Sequence, residues 1–397
     1  MKYFGYLTEE LRCEIFYKQP ERIDYNDSEI LKYAVGAALY MPATRRDLAD
    51  IIISKKYPQV RTLVVCLEDA IKDEDVEYAE QNLINQLNEI KVAVENSKIK
   101  KEEIPFLFIR VRSPKHFEEL SSKVHIVESL LTGFVFPKFD SKSGLEYVKV
   151  FKKFNEDTAT KHYFMPILES SDLMYVETRL ETLNFIKKLL SNCRDDVLNI
   201  RIGATDFCSY FGIRRGKDYT VYEIQLVRDC INAILNLFIR KEENYIVSGT
   251  VWEYFDNDRL LKPLLRATPF HEFFGEQGLD LRSKLIENNL DGLIREILKD
   301  KENGMVGKTV IHPSHVTIVN ALYAVNHEEY LDAIAIIGED GNGGVFKSDY
   351  GNKMNEVKPH TYWARKILTR AKVYGVFNKG YDYLSIISQL GGMVSEK

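Results

Sequence analysis

With 397 residues, 45% of them hydrophobic and 28% charged, the chain has the make-up of an ordinary globular protein able to bury a large core. A formal net charge of −5 without any basic block excludes an electrostatic case for nucleic acid or for an anionic membrane surface. The start is too polar for a signal peptide, no run reaches transmembrane length, and the five cysteines lack C-x-x-C spacing, so reduced thiols in the cytoplasm are expected.

Residues 1–36 carry one helical pattern, with Ile30, Leu31, Ala34 and Val35 at helical spacing, and read as an N-terminal extension covering one end of the main domain. The apolar run 37–41, stopped by Pro42, is strand one. A helix is expected to open at Thr44 with Arg45 and Arg46 in its first turn. Arginine there opposes the macrodipole, so the pair is either an anchor for an anionic group or solvated surface. Strand two, 62–67, ends in Glu68 and Asp69. Strand three, 105–112, puts Arg110 and Arg112 on one side by period-two geometry, and an arginine emerging from a buried strand calls for an anionic partner. Strand four, 133–137, ends at Lys138. That lysine is a Schiff-base nucleophile if apolar surroundings lower its pKa, or a carboxylate's partner if they do not.

Strands five, 163–168, and six, 198–205, are apolar runs that stop at Glu169 and Asp206. The residue just past the C-terminal end of a barrel strand faces the active-site mouth. Two carboxylates there form a hard-oxygen site suited to Mg²⁺, although either alone could simply cap the next helix. After strand seven, 244–249, a polar stretch from 252 to 303 exceeds a crossover helix and reads as an insertion, helical around 281–298. Strand eight, 307–313, ends in His312, which is either catalytic or bonded to its neighbours. Eight strands alternating with helical patterns predict an α/β fold, the (β/α)8 TIM barrel. Residues 330–338 continue as a helix. A glycine-rich link, 338–344, and a helix over 359–374 then have the make-up of a lid or an oligomer arm. The expected division is 1–36, 37–338 and 339–397.

The motifs Leu39-Tyr-Met-Pro-Ala43, Leu67-Glu-Asp-Ala70, Ile109-Arg-Val-Arg112, Phe136-Pro-Lys138, Ile167-Leu-Glu169, Ile202-Gly-Ala-Thr-Asp-Phe207 and Gly307-Lys-Thr-Val-Ile-His-Pro-Ser-His315 occur in this order. In that order the chain resembles the citrate lyase β-subunit and malyl-CoA lyase group of the HpcH/HpaI-type aldolase superfamily. More narrowly it is similar to divergent lyase homologues encoded beside tellurium-resistance-type stress genes. The resemblance implies a TIM barrel, trimeric or hexameric, that uses Mg²⁺ to make or break a carbon–carbon bond through a metal-stabilised enolate. The substrate would be a small 2-oxo-acid or an acyl-CoA-like anion. It implies Glu169 and Asp206 as metal ligands, Arg110 as the group that holds substrate and steadies the enolate oxygen, and Glu68 and Asp69 as the acidic pair near metal-bound waters. Three departures point to a more anionic substrate and little use of coenzyme A. Gly36 stands where relatives carry a cofactor-binding arginine, Arg112 replaces an asparagine, and Asn355 replaces a lid aspartate. Arg112, Lys138, Arg45 and Arg46 then become the expected substrate anchors. The alternatives are a metal-independent Schiff-base aldolase built on Lys138 and a non-catalytic scaffold, the latter disfavoured because unpaired acids at a barrel mouth are costly.

Overall fold

Runs of apolar residues with no polar face build a parallel sheet buried on both sides. Thr62–Cys66, Phe106–Arg110, Gly133–Phe136 and Tyr163–Leu168 are buried at every position. The protein was obtained as a computed structural model, which describes residues 1–25, 27–255, 290–339 and 343–389. Most of the predicted insertion, including residues 281–289 of its helix, and the middle of the glycine-rich link lie outside the described residues.

Strand one, Ala37–Pro42, pairs in parallel with strand two, Leu39 facing Leu63. Strand two pairs with three, three with four, four with five, and five with the short sixth strand Arg201–Ile202. On its other side strand one pairs with strand eight, Lys308–Val310. Strand seven is no continuous ladder. Two isolated parallel pairs, Ile200 with Val247 and Gly249 with Lys308, bridge strands six and eight. The ring is tight enough at strand four that a β-carbon on Gly133 would stand 1.7 Å from the Tyr163 carbonyl oxygen. Helices follow the strands and bury one stripe each, as Leu83, Leu87 and Ile90 do in Val76–Glu95. No helix among the described residues is long and apolar enough to cross a membrane.

Three local expectations need correction. The helix expected at Thr44 begins at Leu48, because the Asn82 amide donates to the carbonyls of Ala43 (2.7 Å) and Arg45 (2.8 Å) and holds that stretch as a turn. Strand three stops at Arg110 and strand eight at Val310. His312 lies in the turn beyond, its Nδ1 2.7 Å from Ser314 Oγ.

Helix Leu290–Glu302 is fastened to strand eight by buried charge. Lys308 Nζ donates to Glu296 (2.9 Å) and Asp300 (2.7 Å), and Arg215 reaches Glu296 at 2.6 Å.

The chain divides into two units, one of Val35–Glu253 with Arg295–Val316, the other of Lys2–Ala34, Tyr254–Ile294 and Thr317–Lys397. In the second, helices His327–Gly338 and Val357–Tyr374 share a core of Ala333, Ile336, Ala364, Ile367 and Ala371, with Trp363 and Leu368 packed against it. The helix expected as a lid or an oligomer arm therefore packs Ile367 fully, and Trp363 and Leu368 in part, within its own unit. Asn355 is buried and donates to Asp332 Oδ1 at 2.8 Å, fixing the hairpin Val345–Lys347 and Met354–Glu356 to that core.

Candidate active site

The C-terminal ends of the strands surround a cavity of about 580 Å³. Arg110, the last residue of strand three, is its electrostatic hub. The guanidinium Nη2 lies 2.5 Å from Glu68 Oε2, 2.9 Å from Asp69 Oδ2 and 3.5 Å from Glu169 Oε1. Three carboxylates from the ends of two different strands thus meet one buried arginine. Lys138 adds a second cation from strand four. Its backbone is left-handed (φ 49°), which aims the N–H at Glu169 Oε1 (2.8 Å) while Nζ donates to Glu68 Oε1 (2.6 Å). Glu68 also accepts the Asp69 backbone N–H at 2.9 Å.

Glu169 is 2% exposed. A β-carbon on Gly203 would stand 2.2 Å from Glu169 Oε2, so only glycine lets strand six pass this side chain. Three residues on, Asp206 sits in the first turn of helix Ala204–Ser209. The Tyr210 hydroxyl donates to the Glu169 carbonyl oxygen at 3.1 Å.

The charges are unevenly satisfied. Burial, helped by the nearby Asp206 and Glu68 carboxylates and opposed by Arg110, pushes Glu169 up to about 8. Burial and the Asp69 charge raise Asp206 as well. Burial acts to raise Asp69 too, but Arg110 and its other partners hold it below the usual carboxylate range. Burial works against the Lys138 ammonium, yet Glu68, Asp69 and Glu169 outweigh it and raise its pKa. Two adjacent carboxylates that both resist ionising mark a place short of positive charge. Their donors are oxygens alone, and no cluster of three or more His, Cys, Asp or Glu among the described residues forms a cage. Two carboxylates completed by water and substrate oxygens are the donor set Mg²⁺ takes, whereas zinc favours nitrogen and sulfur.

The structure brings Arg110, Glu68, Asp69, Lys138, Glu169 and Asp206 together. It does not bring in Arg112, Arg45 or Arg46. Arg112 lies beyond the end of the strand, so period two no longer governs it. It donates to the Leu67 (3.2 Å) and Ile71 (3.5 Å) carbonyls and pairs with Asp73, tying down the segment after strand two. Arg45 pairs with Asp47 at 2.7 Å, and Arg46 donates to the Tyr78 hydroxyl at 2.8 Å. Neither lines the cavity, and nor does Gly36, which precedes strand one at the opposite end.

Sequence reasoning missed Arg201, Tyr40 and Thr309, which all line the cavity. The signal for Arg201 was available. It is a charge inside an apolar run, and a buried strand arginine calls for an anionic partner here as it does at Arg110.

Fold and site together define a barrel enzyme with a carboxylate-rich mouth, and sequence comparison names its class. Over residues 29–376 the chain matches the family of carbon–carbon bond lyases of the TIM-barrel fold, and it belongs to that family. No curated protein matches it. Among solved structures it is similar to the CitE protein of Mycobacterium tuberculosis in complex with magnesium, acetoacetate and coenzyme A. The identity is 16%, over 86% of this chain and 99% of that one, with a TM-score of 0.50. A citrate lyase of Burkholderia xenovorans is 12% identical over 89% of this chain and 96% of its own, with a TM-score of 0.58.

Proposed function

We propose that this carbon–carbon lyase depends on Mg²⁺ held by Glu169 and Asp206, and acts next to a carbonyl of a small carboxylate-bearing substrate. The observation that carries the reading is the meeting of these two charge-deficient carboxylates beside the buried Arg110. Magnesium bound to the Mycobacterium protein agrees with it. When bound, the ion supplies positive charge against the negative charge that builds on the substrate's carbonyl oxygen. Arg110 adds a second positive charge, already fixed by Glu68 and Asp69 and therefore needing no reorganisation during reaction. The Lys138 backbone N–H orients Glu169, and its ammonium keeps Glu68 turned toward Arg110. Asp69, on the cavity wall, would hold water near the ion.

The Schiff-base alternative needs a neutral amine at Lys138, and the surrounding carboxylates raise that pKa instead. The expectation of little coenzyme A use rested on Gly36, Arg112 and Asn355. Gly36 and Arg112 do not line the cavity, so neither gives ground for excluding the cofactor there. A cytoplasmic homo-oligomer, trimer or hexamer, remains part of the proposal. Titration calorimetry with Mg²⁺ tests the metal site: wild type is expected to bind, and Glu169→Gln and Asp206→Asn to lose binding. Unchanged affinity in either variant would remove that residue from the site.

A further inference from the structure

One charge on the cavity wall has no role in the metal chemistry. Arg201 is 1% exposed and lines the same cavity as Glu169 and Asp206. Among the described residues no carboxylate pairs with it, in contrast to Arg110. Its Nη2 donates to Thr309 Oγ1, its Nη1 lies 3.9 Å from Met165 Sδ, and its Cζ stands 5.8 Å from the Tyr40 ring centroid. The buried Nε has no hydrogen-bond partner at all. A guanidinium has five donors in a planar fork and keeps its charge in proteins. Burying it against two hydroxyls, of Thr309 and Tyr40, and one sulfur, with no counter-ion, is costly unless a bound group supplies the negative charge.

The surroundings say what that group is. The charged neighbour that acts on it is Arg110, a second cation, which cannot serve as its counter-ion. The cavity, at about 580 Å³, has room for a small molecule with charge at both ends. A carboxylate fits the fork of an arginine through two parallel hydrogen bonds.

We propose that Arg201, supported by Tyr40 and Thr309, is a specificity-determining residue that seats a second carboxylate of the substrate, at the end away from the carbonyl facing Glu169, Asp206 and Arg110. The proposal rests on the metal-site reading and adds the substrate class: a 2-oxo-acid with a further carboxylate.

Matched ligand pairs test it. Binding of oxaloacetate against 2-oxobutyrate, and of 2-oxoglutarate against 2-oxopentanoate, is measured by calorimetry on the full chain with Mg²⁺. Wild type should favour the dicarboxylate of at least one pair by roughly tenfold or more, the strength of a charge-assisted contact. Arg201→Met should bring that ratio to about one, a change of selectivity that loss of a merely structural arginine would not produce. If circular dichroism shows that variant unfolded, Thr309→Val and Tyr40→Phe serve instead and should each lower the ratio severalfold. Equal binding within both pairs by wild type, or an undiminished ratio in the variants, would overturn the proposal. Mg²⁺ titration without oxo-acid keeps the two readings apart. If the metal fails to bind, the metal reading falls, and the seat is read with glutarate alone. Glutarate affinity should then still drop in Arg201→Met, and no drop would reject the seat.

Discussion

Glu169 is the side chain on which the site's acid–base behaviour turns. In the metal-free protein its pKa lies near 8, against an ordinary 4.5, so at pH 7 it is largely protonated. Mg²⁺ must displace that proton, so affinity should rise with pH up to about 8 and then level off. Calorimetry at pH 7 in buffers of different ionisation enthalpy should report release of about one proton per ion bound; none would contradict the assignment. Stability moves the opposite way. The unfolded chain ionises near 4.5 and the folded one near 8, so between these values the folded state holds the extra proton. The metal-free protein should therefore lose stability as pH rises through that window. Lys138 supplies a second check. Held as an ammonium, it should form no adduct when borohydride is added with a 2-oxo-acid, while chelator should abolish activity. A trapped adduct would restore the lysine mechanism. Glu169, Asp206 and Arg110 were legible because each ends or interrupts an apolar run. Arg45 and Arg112 misled because their partners, Asp47 and Asp73, are settled by local turns rather than by strand or helix period.

Among the elements that build the site, strand six leaves little room beside Glu169. A methyl group at Gly203 would overlap Glu169, and its φ of −91° imposes no strain of its own, so the effect of Gly203→Ala is steric alone. Overpacking of this kind costs typically about 1–3 kcal/mol; a loss of that size is expected in denaturant titration, and Mg²⁺ affinity should fall with it as Glu169 is displaced. Full retention of both would show that strand six yields more readily than the contact suggests. The barrel strands themselves were readable, since being buried on both faces leaves no alternative to a continuous apolar run. Their ends were less so. The delayed helix start at Leu48 depends on an amide from Asn82, far along the chain, and no local pattern carries that information. The seventh strand reads well as a sequence but survives only as isolated pairs.

For the whole molecule, light scattering is expected to give a trimer or hexamer, and a monomer mass at working concentration would overturn that expectation. The C-terminal segment, expected as a lid or an oligomer arm, also has a packing role in its own unit. Val357–Tyr374 covers Ala333 and Ile336 in its own unit, so a chain cut after Gly338 should expose that core and aggregate rather than merely dissociate. A cut chain that stayed soluble would show the segment to be an appendage.

The pairing of strand one with strand eight also sets the order of events at the ribosome. Ala37 meets Lys308, 271 positions later by subtraction. At about 5–20 residues per second, roughly 14–54 seconds of synthesis separate the two. Throughout that interval one edge of Ala37–Pro42 stays open, a template for any other unfinished strand nearby. The nascent barrel is thus most exposed to mispairing at its first strand, and slower translation lengthens that exposure instead of relieving it.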